Sequence, residues 1–135
     1  MMRWIAAAFG SGVVYIAGDL LWVTLMGPRL YRPALGPLLA EQFRLPPALA
    51  FYAIYVTGVV AFGVAPGLRS GDWTRSLFWG ALLGLVAYGT YNLTNQATLK
   101  LWSTRVTVLD MGWGALITGL ASALGCAVAL LLARR

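Results

Sequence analysis

The sequence predicts an all-α integral membrane protein: four transmembrane helices in an antiparallel bundle, with a short interfacial helix in the first loop. Three observations predict it. Of the 135 residues 60% are hydrophobic and only 10% charged, with a mean hydropathy of +0.77, too apolar for a water-soluble domain. The charges cut the chain into long windows. Arg3 to Arg29 encloses 25 residues whose only charge is Asp19, and Arg44 to Arg69 encloses 24 with none. Arg75 to Lys100 encloses another uncharged 24, and Arg105 to Arg134 encloses 28 interrupted only by Asp110. Each window exceeds the roughly 20 residues a helix needs to cross hydrocarbon. A helix also satisfies its own backbone there.

The helices are placed near 4–26, 47–67, 76–98 and 106–133 in a single domain covering 1–135. Met1-Met2-Arg3 before an apolar run has the look of a signal peptide, but the run is long and ends at no small-residue cleavage site, so it is read as mature structure. The connection 27–46 holds Pro28, Pro33, Pro37 and Pro46, with Pro47 just beyond it, and is predicted not to be one long helix. Within it Leu35, Leu38, Leu39 and Phe43 keep helical spacing, which predicts an amphipathic piece lying in the interface. The connections 68–75 and 99–105 are short, so neighbouring helices should run antiparallel. Ala8-x-x-x-Gly12, Gly80-x-x-x-Gly84 and Ala121-x-x-x-Gly125 predict close helix contacts within the chain.

Composition also excludes chemistry. The chain has no histidine and one cysteine, so histidine catalysis, a Cys-based metal cluster and an intrachain disulfide are excluded. No metal and no organic cofactor is implied. The pI of about 10.1 comes from basic residues scattered singly between apolar windows. These are membrane anchors, and nucleic acid is not an expected partner. They tie in number on the two sides: Arg3, Arg69, Arg75, Arg134 and Arg135 against Arg29, Arg32, Arg44, Lys100 and Arg105. Termini on the cytoplasmic side are the orientation preferred.

An ionisable side chain in a span costs at least ~2.5–3.5 kcal/mol and is normally paired, turned to a cavity, or functional. Asp19 lies roughly 10 Å inside the end of the first span at ~1.5 Å per residue. Tyr88, Tyr91, Asn92, Asn95 and Thr98 step by three or four along the end of the third span and share a face. Tyr15, Asp19 and Trp22 keep the same step in the first, as Asp110 and Trp113 do in the fourth. With Lys100, these residues fall at one depth on the side of the proline-rich connection. A ligand pocket with aromatic walls is predicted there, with Arg29 and Arg32 contacting headgroups. Plainer roles stand beside this one. Asp110 follows Thr107 at capping-box spacing, Asn92 and Asn95 serve as interhelical hydrogen-bond donors equally well, and Lys100 at a helix end snorkels. Asp19 is too deep to be a cap.

The run Tyr88-Gly-Thr-Tyr-Asn-Leu-Thr-Asn-Gln-Ala-Thr-Leu-Lys-Leu-Trp102, then Val108-Leu-Asp-Met-Gly-Trp-Gly114, with Asp19-Leu-Leu-Trp22 and the stretch from Leu30-Tyr31 to Leu39, resembles the signature of a bacterial family of small four-helix membrane proteins, domain of unknown function 2177. The resemblance covers essentially the whole chain. It implies a multi-pass protein of the bacterial inner membrane with Asp19, Trp22, Tyr31, Tyr88, Tyr91, Asn95, Thr98, Lys100, Asp110 and Trp113 as signature positions, and no established activity. Asn92 stands where the family usually has an aspartate, and Ser103 where a proline often follows the tryptophan. The first departure favours binding over acid-base chemistry at Asn92.

The leading function is binding or carrying a membrane lipid or an amphiphilic small molecule. Two others stand beside it: an intramembrane acid-base enzyme of isomerase or cyclase type with Asp19 or Asp110 as general acid, and a proton-coupled small-solute transporter acting as a dimer. A homodimer or a larger membrane complex is compatible with each.

Overall fold

In the computed structural model, which describes residues 1–133, four long helical segments follow one another, and no strand occurs among the described residues. We label them α1 (Met2–Leu38), α2 (Leu45–Ser70), α3 (Trp73–Thr98) and α4 (Thr104–Ala133). Of these α1, α2 and α4 are long and apolar enough to cross a membrane. Arg134 and Arg135, counted above on the terminal side, lie outside the described residues.

Contrary to the sequence expectation, α1 does not end near residue 26. It continues through Pro28 and Pro33, and the connection shrinks to residues 39–44. A proline lacks the N–H and collides with the carbonyl four residues back. The backbone avoids the collision by widening into π turns, Gly27–Tyr31 in α1 and Val59–Val64 in α2. Arg29, four residues before Pro33, and Phe62, four before Pro66, lie inside these turns, which displace the obstructing carbonyl. Pro28 lies at the second position of the first of these turns.

The amphipathic helix expected from Leu35, Leu38, Leu39 and Phe43 is likewise replaced. α1 finishes in a 3-10 turn, Gly36–Leu38, and 39–44 carry no helix. Leu35 is taken into a buried cluster with Leu30 and Val106 of α4, while Phe43 is exposed. No four-residue apolar stripe remains to lie on an interface. At the other end, α2 turns into α3 within two residues. Gly71 adopts the left-handed φ of 70° that a side chain would resist, and the Asp72 carboxylate caps α3 by accepting from the Thr74 amide at 2.9 Å and its hydroxyl at 2.7 Å.

α4 is the hub. It packs most extensively against α3 and α1, and 50% of its most apolar stretch is buried, against 22% in α1 and α2. Small residues make this closeness feasible. A Cβ placed on Gly80 would lie 2.6 Å from the Ser122 Cβ and 2.8 Å from the Thr118 carbonyl oxygen, and one on Gly125 would lie 2.8 Å from the carbonyl oxygen of Ala7. Along α3 and α4, Gly80 meets Ser122 and Asn92 meets Asp110, so numbers rise on one helix as they fall on the other. Gly12 faces Val56 of α2. All three small-residue motifs therefore include residues in contacts within the chain.

Candidate functional site

Toward the end that carries 39–44 and 99–103, the helices separate around a cavity of about 350 Å³. α1 contributes Asp19, Trp22, Val23 and Tyr31 to its wall, and α2 contributes Phe51 and Tyr55. Ala87, Tyr88 and Tyr91 come from α3, and Asp110 from α4. Six of the ten are aromatic, two are carboxylic acids, and none is basic. A mostly apolar concavity with a few convergent polar groups is the usual composition of a small-molecule site.

The hydrogen bonds around Asp110 have a fixed direction. Indole N–H only donates, and Trp22 Nε1 donates to the Tyr31 hydroxyl at 2.8 Å. Tyr31 in turn donates to Asp110 Oδ1. Asn92 Nδ2 donates both to the Tyr88 carbonyl at 3.0 Å and to Asp110 Oδ2 at 2.6 Å. The carbonyl can only accept, so the amide orientation is determined. Two helices, α1 and α3, thus aim donors at one buried carboxyl, which is seven residues into α4 and is no helix cap. Thr107, its expected capping partner, instead accepts from Trp102 Nε1 at 3.1 Å and donates to the Ser103 carbonyl.

Asp19 is held differently. Tyr52 of α2 donates to its Oδ2 at 2.7 Å. Its Oδ1 has only the Tyr88 hydroxyl at 3.5 Å, at the outer limit of a hydrogen bond. That phenol is paired at 2.6 Å with the hydroxyl of Tyr15, which is fully buried. Asp110 therefore has both oxygens engaged, while Asp19 presents one loosely engaged oxygen to the cavity. Behind the wall, Trp113 stacks on Trp22 with ring centroids 4.7 Å apart and planes at 7°, and Tyr55 bonds Thr118 at 2.9 Å.

Of the residues singled out from sequence, Asp19, Trp22, Tyr88, Tyr91 and Asp110 line the cavity, and Tyr15, Asn92 and Trp113 support its wall. Asn95, Thr98, Lys100, Arg29 and Arg32 do not line it. The shared-face reading of α3 fails beyond Asn92. Thr98 is exposed and donates to the Thr94 carbonyl at 2.8 Å, as Thr90 does to Val86 at 2.7 Å. Such hydroxyls are satisfied on their own helix and recruit nothing. Lys100 is exposed in the connection beyond α3. Sequence reasoning missed Phe51, Tyr52 and Tyr55, and assigned Tyr31 no role beyond the family signature. Their signal was an aromatic cluster at spacings of one, three and four in an otherwise featureless span.

Long apolar helices of this kind define a helical membrane protein. A family model described as "Predicted membrane protein (DUF2177)" matches residues 4–127, and the chain belongs to that family. No curated protein and no solved structure matches it.

Proposed function

We propose that the protein binds a small lipophilic or amphiphilic molecule in the cavity between its four helices. One observation carries this reading: two carboxyls from different helices border a space of about 350 Å³ whose remaining wall is mainly aromatic. Packed helices with no guest to accommodate would close such a gap, since lost contacts destabilise the surrounding residues. The purified protein in mild detergent should gain several degrees of melting temperature with at least one member of a panel of quinones, isoprenoid alcohols, fatty acids and long-chain amines. No shift with any member would count against binding.

The reading includes α3 as a fourth membrane span, antiparallel to its neighbours. Its mean hydropathy is diluted by threonine, asparagine and glutamine, but Asn92 is buried against α4 and Thr90, Thr94 and Thr98 bond their own helix. Phe78, Leu85, Val86 and Leu93 form its outer surface, which needs lipid rather than water. The resemblance to the bacterial family supports the inner membrane as its location, with termini cytoplasmic. A second reading, acid-base turnover of the bound molecule, is favoured by the relays ending on Asp19 and Asp110. Product formation by the wild type and not by Asp19→Asn would establish it.

A further inference from the structure

We propose that the guest carries a positive charge, an ammonium-type head seated against Asp19 Oδ1 within the aromatic wall. This rests on reading the cavity as a binding site and names the chemical class it takes. The lining contains two acids and no lysine or arginine, so a phosphate, sulfate or fatty-acid head would meet like charge with nothing to offset it in a low-dielectric setting. The two acids are not equivalent. Asp110 has its oxygens filled by Tyr31 and Asn92, so it fixes the wall and supplies field. Asp19 Oδ1 has no partner nearer than the Tyr88 hydroxyl at 3.5 Å and is the acceptor left for a ligand.

The rings point the same way. Trp22, Tyr31, Phe51, Tyr55, Tyr88 and Tyr91 border one space with the carboxylate. Aromatic faces attract cations, and cages of this composition recognise quaternary ammonium groups. A neutral ligand would use the rings but could offer Asp19 a hydrogen bond at most and no ion pair, and an anion would forgo both.

The test uses the full chain in nanodiscs of neutral lipid. Calorimetric titration compares octyltrimethylammonium, its uncharged isostere in which carbon replaces nitrogen, and octanoate, against wild type and Asp19→Asn. The wild type should bind the cation at least about tenfold tighter than the isostere, a difference near 1.4 kcal/mol, with octanoate weakest. Asp19→Asn should reduce the cation to the level of the isostere. Equal binding of cation and isostere by the wild type, or tighter binding of octanoate, overturns the charge assignment and leaves the cavity reading intact. Retention of the preference in Asp19→Asn overturns the seat at Asp19. Saturable binding of none of the three overturns the binding reading itself.

Discussion

The same four helices pack in opposite ways at their two ends. Around Gly63, Gly80, Ser122 and Gly125, backbones approach closely enough that an added methyl group has no room. The serines there donate to backbone carbonyls, Ser11 to Ala7 on its own helix and Ser76 of α3 to Val64 of α2 at 3.0 Å. At the other end bulky rings hold the helices apart, and polar side chains satisfy one another, Trp22 to Tyr31 within α1, and Tyr31 to Asp110 and Tyr52 to Asp19 across helices. The contrast separates two uses of a polar residue in an apolar protein. Bonded to a backbone carbonyl it permits contact, and bonded to another side chain across a gap it defends space.

The contrast can be broken at the seam first. Gly80→Leu would drive a side chain into Ser122 and the Thr118 carbonyl, and overpacking of this kind costs about 3 kcal/mol. Denaturation in mixed micelles should show that loss, while the same substitution at exposed Thr94 should be tolerated. At the cavity end, Asp110→Ala leaves the Tyr31 hydroxyl and the Asn92 amide without their acceptor and should destabilise by about 1–2 kcal/mol in the same assay. Tyr31→Phe removes one link and should cost about 1 kcal/mol, with a changed tryptophan emission because Trp22 loses its acceptor.

A smaller, pH-dependent effect belongs to the turn between α2 and α3. The Thr74 hydroxyl and amide hold the Asp72 carboxyl below its ordinary value of 3.8. A lowered folded-state value means a stabilisation present above the ordinary value and lost as pH falls through the lowered one. Asp72→Ala should therefore melt below wild type at neutral pH and converge with it in strong acid. Smallest of all, Thr94→Val removes a hydroxyl that serves only its own helix and should change stability by less than about 0.5 kcal/mol.

What the sequence discloses follows from the cost of charge in a bilayer. Charges spaced at more than 20 residues mark out helical windows, and the same cost singles out Asp19 and Asp110, which do border one cavity. Asn92 was legible because its step along the third span sets it on one face with Tyr88, at the depth of the two acids. Phenols were not. Tyr31, Tyr52 and Tyr55 are as compatible with packing as with hydrogen bonding, and only the fold reveals which hydroxyl reaches which carboxyl. Lys100 and Thr98 misled for the opposite reason, since their polarity is resolved locally, by exposure and by a backbone carbonyl. The end of α1 was hidden too, because π turns absorb Pro28 and Pro33 without any signal beyond the prolines themselves.

The central claim is that the cavity is a place for a molecule, and mass spectrometry of gently purified protein tests it most directly. Ala87 lines the cavity, so Ala87→Phe fills it while both carboxyls remain. Wild type should fly with one small-molecule adduct per chain, and Ala87→Phe should fly bare. Wild type without any adduct, or an adduct kept equally by Ala87→Phe, would contradict the account.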